Sequence, residues 1–106
     1  MVFKALADPT RRAILDELTD RNGQALLEIC SRLATKHGLG SSRQAISQHL
    51  DVLQAAGLVE MSREGKWRLY ALRPELLAEV DRWLKPYRAL WSRRLDTLEQ
   101  HLEENP

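Results

Sequence analysis

The stretch that decides the fold is Ser41-Ser42-Arg43-Gln44-Ala45-Ile46-Ser47-Gln48-His49-Leu50-Asp51-Val52-Leu53-Gln54-Ala55-Ala56. Ile46, Leu50 and Leu53 recur at helical spacing, so one side of a helix here faces a core. Arg43, Gln44, Ser47, Gln48 and Asp51 then gather on the opposite side. Ser41 and Gln44 stand at capping-box spacing, and Gly57 follows where a left-handed residue ends a helix. The outward face is unusual for a solvated helix. It is rich in Ser, Gln and Arg rather than in the common Glu/Lys mixture.

On the N-terminal side, Val2 to Ala7 reads as a short helix carrying Phe3 and Leu6 inward. Asp8-Pro9 then starts a second helix, because Asp can cap and Pro fits the first position, where no donor is needed. Ile14, Leu15 and Leu18 are its stripe, and Asn22-Gly23 is a turn. A third helix is expected from about Gln24 to Thr35, with Leu26, Ile29, Cys30 and Leu33 on one side.

On the C-terminal side, Val59 to Arg63 and Lys66 to Leu72 read as two strands joined at Glu64-Gly65. Trp67, Leu69 and Ala71 alternate there with Arg68, Tyr70 and Leu72. A last helix, from about Pro74 to Glu103, contains Pro86, which should kink or divide it by removing the donor to the Arg82 carbonyl. The expected class is therefore mainly α with a small two-stranded β wing, the plan of a winged helix-turn-helix with a long C-terminal helix. We expect one domain over 1-106, with the helix-turn-helix and wing in 1-73 and a dimerisation helix in 74-106.

The chemistry of the outward face suits a base edge. Arg43 can grip guanine with two hydrogen bonds, and Gln44 and Gln48 can do the same for adenine. Ser42 and Ser47 are small enough for close approach, and a helix N-terminus favours a phosphate. His49 either reaches a phosphate or packs at the helix flank. From Ser62 to Arg73 the chain carries Arg63, Lys66, Arg68 and Arg73 against Glu64 alone, although the whole chain has a net charge of only +1. Arg63, Lys66 and Arg68 would then lie near the DNA backbone or minor groove.

These motifs resemble the ArsR-type bacterial repressors. The resemblance rests on Leu6-Ala7-Asp8-Pro9-Thr10-Arg11-Arg12-Ala13-Ile14-Leu15, on Ser42 to Leu50, and on Leu53-Gln54-Ala55-Ala56-Gly57-Leu58-Val59, and it covers nearly the whole chain. It implies a winged-helix homodimer that represses transcription by occupying operator DNA. It also implies that Ser42 to Ala56 is the recognition helix and Arg63 to Arg68 the wing. Many members sense metals through two cysteines on the helix equivalent to Leu26 to Leu33, but here Cys30 stands alone. Others use the last helix, where Asp81, His101 and Glu103 are present but the expected histidine pair is missing. About four ligands are needed for a firm tetrahedral site, so no metal and no cofactor is expected. Cys30 reads as a buried inert thiol, and His37 and His101 as solvent residues. The stretch from Thr35 to Ser41 is slightly longer than usual for the family. Arg82 to Trp91 is similar to a subgroup without the metal motif, associated with small-molecule-binding partner proteins.

Leu84, Tyr87, Trp91, Leu95, Leu98 and Leu102 follow spacings of three and four, a seam suited to a partner helix. Pairing with a second copy would set two recognition helices about 34 Å apart, which favours a palindromic operator. Trp83, Tyr87 and Trp91 form either dimer core or a ligand pocket, leaving room for a small-molecule or protein effector.

Other classes fit less well. Ser47, His49 and Asp51 share the residue types of a catalytic triad, but on a helix His49 points about 200° away from Ser47, so no proton relay forms. We expect no enzyme. No apolar run approaches the ~20 residues that span a bilayer, and with one cysteine, Cys30, no internal disulfide forms. The expected setting is cytoplasmic, with double-stranded DNA as partner. The alternatives are a metal-responsive repressor with an atypical site, and a winged-helix module that binds protein.

Overall fold

A computed structural model describes residues 2–104. Its elements run α1 (Val2–Leu6), α2 (Pro9–Asp20), β1 (Gln24–Ala25), α3 (Leu26–His37), α4 (Arg43–Ala55), β2 (Val59–Glu64), β3 (Trp67–Leu72) and α5 (Glu75–Glu104). The chain divides into two compact units, one running to Leu76 and one beginning at Leu77.

In the first unit the stripes meet as the periodicity predicts. Ile14 and Leu18 of α2, Ile29 and Leu33 of α3, and Ile46, Leu50 and Leu53 of α4 are all but sealed from solvent, together with Leu58 and Val59. Each such side chain contributes about 1.5–3 kcal/mol of burial. The helix starts are chemically marked. The Asp8 carboxylate accepts from the N–H groups of Thr10 and Arg11 at 2.8 and 3.1 Å. Burial opposes its ionisation, but those hydrogen bonds outweigh it and hold its carboxyl below the ordinary value. At α4 the cap is Ser42, whose Oγ accepts from Ala45 N–H at 3.1 Å, and not the expected Ser41. The helix begins at Arg43, so Ser42 is the residue placed three positions before a free N–H.

Gly57 ends α4 with φ +79°. Leu58 N–H bonds to Leu53 C=O, and Gly57 N–H to Gln54 C=O, each at 3.0 Å. That is a Schellman closure. A side chain at Gly57 would also meet Leu76 Cδ1 at 3.0 Å.

Other expectations need correction as well. The sheet has three strands, in the order β1-β3-β2, because Gln24 and Ala25 pair with Tyr70 and Leu69. The third helix therefore begins at Leu26, after Gln24, whose amide is tied back to Arg21 C=O at 2.6 Å. In α1 it is Ala5 that is buried, whereas Phe3 is 64% exposed. Pro86 does not divide the last helix, which is continuous from Glu75 to Glu104. There Arg88 spans the proline turn, pairing with Asp81 Oδ1 at 2.8 Å and donating to its carbonyl at 3.3 Å. In the hairpin, Tyr70 takes the buried position and Trp67 stays exposed. Among the described residues no helix is long and apolar enough to cross a membrane.

Candidate nucleic-acid interface

The Ile46-Leu50-Leu53 stripe turns one side of α4 into the core, so the opposite face is presented outward. Arg43, Gln44, Gln48 and Asp51 are exposed there, and Ser47 is half-buried among them. Arg43, Gln44, Ser47 and Gln48, with Leu26 at the start of α3, line an open hollow of about 570 Å³. Its border is thus a set of forked donors and amides, the groups that read base edges. Ser42 is exposed too, but its Oγ is already engaged as the cap.

The hairpin supplies the second surface. Arg63 and Arg68 are direct cross-strand partners, both exposed. Like charges directly opposite one another destabilise a strand pair. Neither arginine makes an ion pair among the described residues. Lys66 lies in the turn between the strands, its ammonium 5.6 Å from the centre of the Trp67 ring. The hairpin tip therefore holds three cations with Glu64 as the one acid in the same strand ends, an arrangement suited to a phosphodiester backbone.

His49 does not join this face. It is half-buried on the flank towards α2, where its Nδ1 lies 3.3 Å from Nη1 of Arg11. Of the two roles open to it in sequence, the structure favours packing at the flank. Arg11 also donates to the carbonyls of Ala5 at 2.7 Å and Lys4 at 3.1 Å. The role of Arg11 is not legible in the sequence, because its partner on α4 lies 38 positions away.

Behind the interface a charged cluster joins α2 to α3. The side chain of Glu17 is 1% exposed. It accepts from Arg32, from the Gln24 amide at 3.4 Å and from His37 at 3.3 Å. Burial alone would raise its pKa, but these hydrogen bonds outweigh burial and hold the carboxyl below the ordinary value. His37 is consequently no simple solvent residue. Arg32 and Lys36 both reach Asp20 at 2.8 Å. Cys30 is half-buried, and burial raises its thiol above the ordinary value against the opposing pull of Arg43. Among the described residues no group of three or more His, Cys, Asp or Glu side chains is placed to hold a metal.

The residues expected to form a seam lie on the second unit. Tyr87, Trp91, Leu95, Leu98 and Leu102 are exposed along α5, and Leu84 is half-buried. The rings of Trp83 and Tyr87 touch, with centroids 5.2 Å apart and planes inclined at 44°.

Known proteins share this geometry. Residues 6–62 match the family model described as a helix-turn-helix domain. The chain is 53% identical over 79 residues to YuzN, an uncharacterised HTH-type transcriptional regulator of Bacillus subtilis, covering 74% of this chain and 86% of that protein. It is 34% identical over 83 residues to the transcriptional repressor SdpR of the same organism, covering 78% and 84%. Among solved structures, an ArsR-like transcriptional regulator from Rhodococcus sp. RHA1 superposes with a TM-score of 0.67 at 42% identity, over 99% of this chain and 90% of that one. With a helix that presents donors outward, a basic hairpin and relatives of this kind, the chain belongs to the ArsR-type family of winged helix-turn-helix, DNA-binding transcriptional regulators.

Proposed function

We propose that the protein is a repressor that acts as a homodimer on a two-fold symmetric operator. The observation that carries this reading is the pairing of two surfaces. One is the donor-rich face of α4, and the other is the hairpin whose Arg63 and Arg68 oppose each other without an acid. In this reading Arg43, Gln44, Ser47 and Gln48 contact base edges, while Ser42 places the α4 N-terminus against a phosphate. Arg63, Lys66 and Arg68 hold the backbone. Residues 74–106 pair with a second copy through Leu84, Tyr87, Trp91, Leu95, Leu98 and Leu102, and the exposure of most of this seam supports the assignment.

On this reading the protein has no catalytic activity and works in the cytoplasm. Repression fits steric occupation of a promoter, and the relative SdpR is itself a transcriptional repressor. The test is fluorescence anisotropy with a labelled fragment from upstream of its own gene, against a scrambled fragment, with sedimentation of both complexes. Selective binding by two chains per site is the expected result. Equal weak binding to both fragments, together with retention of function in Arg43→Ala/Gln48→Ala, would point to a protein-binding module instead.

A further inference from the structure

We infer that Arg11 is a positioning residue for the recognition helix, acting through His49, whose ring in its neutral form carries its proton on Nε2. The inference rests on the reading of α4 as the DNA-reading helix. Its spectroscopic consequence does not.

Donor inventory decides the tautomer. A guanidinium offers five N–H donors and no acceptor. At 3.3 Å from Arg11 Nη1, the Nδ1 of His49 must therefore present a lone pair. A neutral imidazole has one donor nitrogen and one acceptor nitrogen, so its hydrogen stands on Nε2. The guanidinium itself is held from two other directions. Nε donates to Ala5 C=O at 2.7 Å, and Nη2 donates to Lys4 C=O at 3.1 Å. These carbonyls belong to the last turn of the five-residue α1, where the helix ends before it can satisfy them all. The Arg11 backbone N–H is meanwhile bonded by the Asp8 cap. One side chain of α2 thus ties the end of α1 to the flank of α4.

The link sets the helix rotation. His49 lies near the middle of α4, two residues after Ser47 and one after Gln48. The Ile46-Leu50-Leu53 stripe restrains α4 from one side, and apolar packing tolerates small rotations. A hydrogen bond to a ring fixed in one tautomer does not. A shift of about 1 Å at the helix surface is enough to spoil paired hydrogen bonds from Arg43 or Gln48 to a base. Arg11 itself touches neither base nor phosphate.

The first arm of the test is the histidine 15N spectrum of the full chain at about pH 8, above the ordinary histidine value. The expected signature for His49 is the Nε2–H tautomer. An Nδ1–H tautomer overturns the inference with no DNA in the tube. The second arm measures operator affinity and its salt dependence. Arg11→Ala should weaken selective binding about tenfold, the scale of a lost hydrogen bond to a charged group, and leave the salt slope unchanged. A slope shallower by about 0.9 would mean that Arg11 meets a phosphate itself and would overturn the positioning role. Unchanged affinity would overturn it too.

His49→Asn keeps an acceptor near the Nδ1 position and should bind within about twofold of the wild type, whereas His49→Phe keeps the ring without the acceptor and should match Arg11→Ala. Equal losses in both variants would contradict the link. Melting curves identify any variant that fails to fold, and Arg11→Lys, which cannot span both carbonyls and the ring, then serves in place of Arg11→Ala. If the wild type itself shows no selective binding, the DNA-binding reading falls while the tautomer result still decides the geometry.

Discussion

Two groups of charge in this molecule are treated in opposite ways. Between α2 and α3, Glu17 is sealed from solvent, and its carboxylate is met by Arg32, His37 and the amide of Gln24. On the hairpin, Arg63 and Arg68 face each other across the strands in solvent with no acid to separate them. Burying a charge is costly unless it is paired, so the first group is intelligible from folding alone. The second is not, since opposed like charges lower the stability of the hairpin. Matched charges hold the fold, and the unmatched ones are complete only when an anion arrives. On the proposed reading, a DNA phosphate is that anion.

The sharpest way to break the contrast is on the matched side. Glu17→Ala leaves Arg32, Gln24 and His37 without their shared acceptor, and unfolding by urea should register a loss of about 3–5 kcal/mol. A loss under about 1 kcal/mol would show that the cluster is incidental. The same carboxylate makes stability depend on pH with a definite sign. Its folded-state pKa is lowered, so the unfolded chain binds more protons as acid is added. Its contribution is fully present above the ordinary carboxyl value of 4.5 and is lost as pH falls through the lower folded value. Glu17→Gln should flatten the acid limb of a stability profile.

The seam on α5 comes next. Leu95→Asp places a charge among Trp91, Leu98 and Leu102 and should abolish dimerisation. A persistent dimer in sedimentation would mean that the chains pair elsewhere. On the face of α4, Gln48→Ala should cost about 1–3 kcal/mol in operator binding and relax selectivity at one base position, as read by anisotropy on single-base variants of the site. Smallest is the effect on the hairpin itself. Arg68→Ala should raise stability by about 0.2–1 kcal/mol by relieving Arg63, while DNA binding weakens. A destabilised variant would mean that the cross-strand pair is not repulsive.

What is legible in the sequence follows from the range of each interaction. Asp8-Pro9 and Gly57 act within a few residues of themselves, so the start of α2 and the end of α4 can be read directly. The stripe of α4 reveals its outward face for the same reason. Strand β1 cannot be read, because two residues carry no periodicity and Gln24 pairs with Tyr70, far along the chain. Glu17 is one more helical acid until Arg32 and His37 fold against it. Trp67 and Tyr70 are equal candidates for the core by residue type, and the register alone places Tyr70 inside. Pro86 has the chemistry of a helix breaker, yet one missing donor is tolerated within a 30-residue helix.

The most direct test of the wing assignment compares the wild type with Arg63→Ala/Arg68→Ala on the operator fragment, following affinity by anisotropy from low to moderate salt. The variant should fold at least as stably as the wild type and bind more weakly at low salt. Its plot of log affinity against log salt should be shallower by about 0.9 for each phosphate no longer neutralised. An unchanged slope with unchanged affinity would show that the opposed arginines meet no phosphate, and would contradict the assignment of the hairpin as the backbone-gripping wing.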